Sequence, residues 1–195
     1  MQHDTSDFTI SSDALRYRNP TLSISPDGTK VWTIQGRYHR LNGPAIEGAD
    51  AVLSAVGPRG TGPTTVIQDS VHSITQAMHK TGTRRLLQVS GSIVADKGES
   101  PYMRYLIKPV ARRTFLRHVC ADMRRGEEEI RGSDLDWTIF RPPALNGKPA
   151  SGAYRTAIDR NLPHGFTVSR ADLAACMLAM LADPATVHRH VAIAS

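Results

Sequence analysis

Residues 49–58 read ADAVLSAVGP, a short apolar run that ends in a Gly-Pro turn. Two later runs have the same apolar character: LLQVS at residues 86–90 and WTIF at residues 137–140. Apolar residues at helical spacing fill the intervals at 64–80 and 109–130. Strands that are apolar throughout are typical of a parallel sheet that helices cover on both faces. The pattern therefore predicts an α/β fold with a parallel sheet and flanking helices.

The residues around each helix predict where it begins and ends. Pro63 precedes the first helix and Gly82 ends it. Ser169 is the expected N-cap of a last long helix, which Asp183-Pro184 would close before a final strand at 191–193. The second helix is expected to bury one stripe of side chains, namely Val110, Phe115, Leu116, Val119 and Met123.

Residues 1–48 differ in character from residues 49–195 and predict a small N-terminal β appendage. They are polar, with short β-like runs. Asp27-Gly28 lies between two of these runs, which indicates a hairpin because both residue types tolerate positive φ. We expect residues 1–20 to be partly disordered and residues 49–195 to form the α/β domain.

Composition argues against several classes of protein. The chain has 195 residues, enough for one domain with an appendage, and a formal net charge of +6. Basic residues are interspersed with acidic ones and aromatic residues are few, so we expect no nucleic-acid partner. The run from Arg104 to Arg131 is interpreted as a packed helix with a solvated face. His188-Arg189-His190 lacks a third ligand, so a solvated chain end is favoured over a metal site, and we expect no metal.

The expected location is the cytoplasm. The only cysteines, Cys120 and Cys176, lie in apolar helical contexts, and the first residues lack the pattern of a signal peptide. No apolar run approaches the roughly 20 residues that a membrane span needs. We therefore expect no membrane partner.

Three strand ends carry residues suited to a ligand. In doubly wound sheets, ligands lie across the carboxyl ends of the strands. The glycine of Gly57-Pro58-Arg59 would let a backbone approach a ligand, and the hydroxyls of Ser90-Gly91-Ser92 could bond a nicotinamide or a substrate oxygen. Arg141-Pro142-Pro143 would form a rigid rim. Each segment taken alone is also a common turn or loop.

Six strings follow one another in a fixed order: ADAVLSAVGP (49–58), PTTV (63–66), LLQVSGS (86–92), LDWTIFRPP (135–143), GAY (152–154) and SRADLA (169–174). In this order they resemble the NAD(P)H-binding atypical short-chain dehydrogenases/reductases. These are the NmrA-like proteins, which include flavin reductases similar to biliverdin reductase B. The resemblance covers residues 49–195 and implies a partial Rossmann-like sheet with NADP(H) or NAD(H) at its strand ends.

The resemblance also implies roles for individual residues. Hydride would pass from the nicotinamide to a small-molecule acceptor such as a flavin, a tetrapyrrole or a quinone, and the cofactor would carry the chemistry. Tyr105 is a candidate proton donor, although packing in the core or at a rim is the commoner explanation. The expected catalytic residues are Ser90, Ser92 and Tyr105. The expected cofactor contacts are Gly57, Pro58, Arg59, Ser90, Arg141, Pro142, Pro143 and Ala144.

The sequence departs from the family in two places. Short-chain dehydrogenases pair a tyrosine with a lysine four residues later, whereas Tyr105 and Lys108 are three apart. The family also opens with a strand, a Gly-x-x-Gly-x-x-Gly loop and a helix that seat the pyrophosphate, and residues 1–48 contain no such loop. The cluster at residues 57–62 has the spacing of an anion loop, but the family alignment places it at the fourth strand. We therefore expect impaired cofactor affinity.

Without that first half, the strand at 51–56 would present an apolar edge. Either the β-like runs of residues 8–34 cover it, or a second copy pairs with it and forms a homo-oligomer. Three functions follow from these expectations. The first is an NAD(P)H-dependent reductase, and the second is a non-catalytic nucleotide-sensing or protein-interaction module on the same fold. The third is an inactive chain that is stable only as an oligomer.

Overall fold

The computed structural model describes residues 21–24, 30–34, 46–95, 97–98, 101–114 and 116–195. The predicted disorder of residues 1–20 and the predicted turn at Asp27-Gly28 lie outside these ranges. No helix in this part of the chain is long and apolar enough to cross a membrane.

Nine strands and four α-helices make up the described chain. The strands are β1 (Thr21–Ile24), β2 (Lys30–Ile34), β3 (Ala51–Ser54), β4 (Arg85–Val89), β5 (Asp136–Arg141), β6 (Ala144–Asn146), β7 (Arg155–Ile158), β8 (Thr167–Ser169) and β9 (Arg189–Ala194). The helices are α1 (Val66–Thr81), α2 (Lys108–Arg113), α3 (Arg117–Gly132) and α4 (Arg170–Ala179). Shorter helical turns are a 3-10 turn at Ser92–Val94, a π turn at Met103–Ile107 and a 3-10 turn at Pro184–Thr186.

Seven strands form one sheet in the order β1-β2-β3-β4-β5-β9-β7, and β6 pairs with β8 apart from it. Strands β2, β3, β4, β5 and β9 run parallel, whereas β1 and β7 pair antiparallel at the two edges. Helices lie on both faces, so the predicted α/β, Rossmann-like class with a mostly parallel sheet is confirmed.

The apolar strands are buried on both faces, as their sequence predicts. Side chains of alternate strand residues point to opposite faces of a sheet. Val52, Leu86 and Ile139 therefore pack with α1 and α3, in a cluster that includes apolar residues of both helices. Their sequence neighbours Leu53, Leu87 and Phe140 pack with α4 on the other face.

The strand β2 covers the edge that the sequence left open on β3. It pairs in parallel with β3, from Val31 opposite Ala51 to Ile34 opposite Ser54. Of the two alternatives for that edge, the β-like runs of the N-terminal segment therefore supply the cover. The antiparallel pairing of β1 with β2 confirms the predicted hairpin. The domain boundary at residue 48 stays a prediction.

Two helix predictions are wrong in part. The single helix expected over 109–130 is divided into α2 and α3 at Thr114, whose φ of −107° and ψ of −110° are not helical. Val110 is 54% exposed rather than part of a buried stripe, because α2 directs Lys108 and Ala111 inward instead. The helix α4 ends at Ala179, and Asp183 instead caps the following 3-10 turn by accepting a hydrogen bond from the amide of Ala185.

Candidate active site

The carboxyl ends of β3, β4 and β5 lie side by side. Their register places Ser54 opposite Gln88, and Gln88 opposite Ile139. Beyond the strand ends, the amide of Ser90 donates to the carbonyl of Phe140 and that of Ser92 to the carbonyl of Pro142, each at 2.8 Å. The structure thus brings together two of the three predicted segments, at 90–92 and 141–143.

A cleft opens beside these ends, between the C-terminal parts of β5 and β9 and the loop 159–166. It is lined by Ser92, Lys108, Arg141, Pro143, Asn161, Leu162, Pro163, His164, Gly165, Phe166, Ala192, Ile193 and Ala194. Three predicted site residues, Ser92, Arg141 and Pro143, belong to this lining. The other predicted site residues, Gly57, Pro58, Arg59, Ser90, Tyr105, Pro142 and Ala144, do not line it.

Two glycines allow the loop that forms the outer wall to pack closely, Gly98 against the loop and Gly165 against the sheet. Gly98 has a positive φ of 83°, and a Cβ there would lie 2.5 Å from the carbonyl oxygen of Asn161. Gly165 approaches β9 so closely that an added Cβ would lie 2.5 Å from that of Ala194. Asn161 also donates from its side chain to the carbonyl of Ser92 at 3.3 Å. The wall therefore depends on close approaches that larger residues would prevent.

Two buried hydroxyls at the strand ends have no hydrogen-bond partner among the described residues. They are Ser54 Oγ at the end of β3 and Ser90 Oγ directly after β4. Buried polar atoms are normally paired, so such an atom marks a place where water or a ligand completes the structure. Ser54 was not predicted, although a serine at the end of an apolar strand could have indicated it.

Lys108 fixes the turn that presents Ser92. Its side chain is buried, and Nζ donates to the carbonyl of Ser92 and, at 3.1 Å, to that of Ala95. Arg112, four residues after Lys108 in α2, supports the segment 92–95 as well, because it donates to the carbonyls of Ile93 and Ala95. Tyr105, by contrast, is 73% exposed. The structure thus places Lys108 and Tyr105 in different environments, and Tyr105 as a proton donor stays a prediction.

The guanidinium of Arg141 is held by a buried carboxylate on α3. Its Nε lies 3.1 Å from Glu127 Oε1, and its Nη2 pairs with Oε2. Glu127 is buried and Arg141 only slightly exposed, so the pair is a strong, fixed anchor for the end of β5. Sequence reasoning missed Glu127, because a glutamate on an amphipathic helix usually faces solvent.

His190 lies next to this pair rather than in solvent. Its ring packs edge-on against Trp137, with ring centroids 5.4 Å apart. Burial, reinforced by the positive charge of Arg141, lowers the pKa of His190 below its usual value. The expectation of a solvated chain end is therefore wrong for His190. No group of three metal-binding side chains occurs within the ranges that the structure describes.

The amino end of α1 is already occupied by a carboxylate of this chain. Asp122 on α3 is fully buried, and its Oδ2 and Oδ1 accept from the amides of Ile67 and Gln68, each at 3.0 Å. The amides of Val66 and Asp69 are bonded to Thr64 Oγ1 and the carbonyl of Thr65. The bond of Asp69 is the first intrahelical one, so three of the amides that a helix leaves free at its start, those of residues 66–68, are satisfied from outside the helix backbone ladder.

This capping excludes the interpretation of residues 57–62 and α1 as an anion loop. A phosphate there would find the amides of Val66, Ile67 and Gln68 already bonded and would meet the charge of Asp122. The glycines 57, 60 and 62 are exposed, and a Cβ at any of them would meet nothing within 4 Å, so no close approach requires them. Gly57, Pro58 and Arg59 as cofactor contacts stay a prediction.

A second buried aspartate fixes the loop after β6. Asp172 accepts from the amides of Ser151 and Gly152, each at 2.9 Å, and from Ser169 Oγ at 2.8 Å. Burial alone would raise the pKa of Asp172, but the hydrogen bonds from Gly152, Ser169 and Ser151 outweigh it and lower the pKa below its usual value. Ser169 in turn accepts from the amide of Asp172, which confirms the predicted N-cap of α4.

Comparison with known proteins agrees with this architecture. A model of the NAD(P)H-binding family matches residues 31–184. The UPF0659 protein YMR090W of Saccharomyces cerevisiae is 28% identical over 155 residues, which are 76% of this chain and 64% of the yeast protein. This chain thus spans slightly less than two thirds of that relative.

Solved structures show the same fold at low identity. A short-chain dehydrogenase/reductase from Veillonella parvula in complex with NADP is 17% identical, with a TM-score of 0.64 over 84% of this chain and 82% of that one. The oxidoreductase ylbE from Lactococcus lactis is 15% identical, with a TM-score of 0.62 over 78% of this chain and 65% of that one.

Proposed function

This chain belongs to the NAD(P)H-binding family, and on that premise we propose that it is a nicotinamide-dependent reductase of the flavin-reductase type. Its acceptor is a small molecule, either a flavin or a quinone-like ring, and it works in the cytoplasm. The observation that carries the proposal is the pair of unpartnered buried hydroxyls, Ser54 and Ser90, at the ends of the adjacent strands β3 and β4, together with the cleft that Ser92 and Pro143 line.

The strand ends fit the nicotinamide end of such a cofactor. Ser90 and Ser92 would hydrogen-bond its amide, and Pro143 would pack against its ring. The bound cofactor supplies the hydride. The chain's own residues hold the site in place. Lys108 and Arg112 fix the turn that carries Ser92, and the ion pair with Glu127 fixes Arg141 at the start of the segment 141–143.

The cleft fits a flat and weakly polar acceptor. Its outer wall offers Leu162, Pro163 and the ring of Phe166, which is 62% exposed, and its floor is formed by the apolar end of β9. The ammonium of Lys108 and the guanidinium of Arg141 are both committed to protein oxygens. An acceptor here is therefore held mainly by packing on apolar surface, which suits a flavin or a quinone.

The diphosphate is the part of the cofactor that the described chain supports least. Asp122 takes the two α1 amides that would otherwise serve an anion. Two hydrogen bonds to a charged group contribute about 1.5–3 kcal/mol each, so their loss weakens binding about a hundredfold or more. The occupation of these amides by Asp122 also favours the second candidate function, a non-catalytic nucleotide-sensing or protein-interaction module.

The two functions are separated by measuring binding and turnover on the same protein. We expect isothermal titration to show weak binding of NADPH or NADH, and absorbance to show cofactor oxidation only when FMN or menadione is added. Ser90→Ala should weaken cofactor binding, and Ser73→Ala on α1 is its matched control. Phe166→Ala should raise the KM for the acceptor and leave the cofactor Kd unchanged.

Binding without turnover for either acceptor would reject the reductase in favour of the sensing module. Absence of binding to both cofactors at millimolar concentration would reject the reductase and the nucleotide-sensing module, and would leave the protein-interaction module.

A further inference from the structure

The helical segment at residues 101–113 exposes an apolar surface. Seven large apolar side chains are exposed in the described chain, and five of them belong to this segment, each between 38% and 73% exposed. They are Tyr102, Tyr105, Leu106, Ile107 and Val110. Exposed apolar side chains concentrated in this way mark an interaction surface, whereas scattered ones need no explanation.

The polarity of this segment is the reverse of that of an ordinary surface helix. A surface helix buries its apolar stripe and exposes its charged side chains. Here Lys108 is buried, and with Arg112 it donates to the carbonyls of the turn at residues 92–95. These charged contacts hold the segment with its apolar residues outward. The exposed face is therefore fixed by the fold.

The same region carries the net positive charge of the whole chain. Residues 101–125 include seven lysines and arginines and one acidic residue, Asp122, which is buried as the cap of α1. The other 170 residues hold seventeen basic and seventeen acidic residues, so they balance. Arg113 is exposed within the segment itself, and Arg117, Arg124 and Arg125 are exposed on α3, the helix that contacts α2. A partner of this face must accordingly be both apolar and anionic.

We propose that the outer face of residues 101–113 docks on an anionic lipid surface. Exposed tyrosines and aliphatic side chains beside arginines are the composition of helices that lie in a lipid interface, where each basic residue near an anionic leaflet contributes about 1 kcal/mol. A symmetric dimer through this face would bring two positively charged patches together, which disfavours a second copy as the occupant. The earlier expectation of no membrane partner rested on the lack of a spanning run, which a peripheral face does not need.

The test is vesicle co-sedimentation of the full chain. We expect binding to vesicles of phosphatidylcholine with phosphatidylglycerol, weaker binding as salt rises, and little binding to phosphatidylcholine alone. The double variant Leu106→Ser with Val110→Ser, and separately Arg113→Glu, should each lower the partition coefficient about tenfold. The matched control combines Ile158→Ser on β7 with Arg170→Glu on α4, which are exposed positions in other elements, and should bind as the parent does.

Three outcomes would overturn the proposal. They are no sedimentation with anionic vesicles at low salt, equal binding of the face variants and the parent, and loss of self-association in the face variants without any vesicle binding. The last would make the face an interface between copies. Circular dichroism and melting temperature show whether each variant is folded. If the double variant is not, Tyr105→Ser replaces it, since Tyr105 is the most exposed of the five.

Discussion

Replacing Asp122 with alanine should lower the free energy of unfolding by about 2–4 kcal/mol. The variant removes the acceptor of two helix amides, those of Ile67 and Gln68, and each hydrogen bond to a charged group contributes about 1.5–3 kcal/mol. Part of this loss is offset because a fully buried carboxylate no longer has to be desolvated. The result lies above the roughly 0.5–2 kcal/mol typical of a lost N-cap, since one carboxylate serves two amides, of which that of Ile67 is buried away from water.

The assay is urea and thermal denaturation followed by far-ultraviolet circular dichroism. A domain of this size loses about 2–4 °C of Tm per kcal/mol, so the expected fall is roughly 4–16 °C. Asp122→Asn keeps one acceptor oxygen and should lie between parent and alanine variant. Asp134→Ala is the matched control, because that carboxylate is exposed and pairs with His79 and Arg84 at the surface rather than with the start of a helix. If the free energy of unfolding of Asp122→Ala lies within about 0.5 kcal/mol of that of the parent, Asp122 does not stabilise the start of α1 as argued.

The same variant tests whether Asp122 is what keeps anions from α1. With its carboxylate gone, two amides at the start of a helix become free to bind phosphate. Inorganic phosphate should then raise the Tm of Asp122→Ala and leave that of the parent unchanged. An equal effect of phosphate on both proteins would show that anions bind elsewhere.

Three further predictions follow from the packing. The pKa of Asp172 in the folded protein lies below its ordinary value. The stability that this carboxylate contributes is therefore present above about pH 4, the pKa of an aspartate in the unfolded chain, and is lost as the pH falls through the pKa of the folded state. The urea midpoint of Asp172→Asn should therefore change less between pH 5 and pH 2.5 than that of the parent, and parallel curves would contradict this. Gly126→Val should lower the free energy of unfolding by about 1–3 kcal/mol in urea titrations, because a Cβ at Gly126 would lie 3.0 Å from Ile67 Cγ2. Gly132→Val is the control, because a Cβ at Gly132 would meet nothing within 4 Å. Burial raises the pKa of the Cys176 thiol to about 11, so a disulfide reagent at pH 8 should leave it unlabelled until the protein unfolds, and rapid labelling in the native state would contradict the buried core.

Elements that depend on neighbouring residues could be predicted from the sequence. The spacing of Ile67, Val71 and Ile74 predicts α1, and the continuous apolar run at 137–140 predicts β5, because each pattern is set by which faces of its own element are buried. Ser169 could be recognised as a cap because its partner amide is three residues away.

The candidate site was predictable only in part, for the same reason. Ser92, Arg141 and Pro143 follow recognisable strands, and the order of parallel strands brings their ends to one edge. The loop that carries Asn161 and Phe166 has no periodicity, and its approach to the sheet depends on contacts with residues more than 25 positions away.

The sequence by itself determined that this chain alternates strands and helices around a two-sided parallel sheet, because hydrophobic periodicity is a local property. Only the tertiary structure decided where its charges lie. Asp122 caps a helix that begins more than 50 residues earlier, Glu127 holds Arg141 from another element, and Lys108 is buried beneath an apolar face. A charged residue on a helix is normally solvated, and what overrides that preference in each case is a set of partners brought close by the fold.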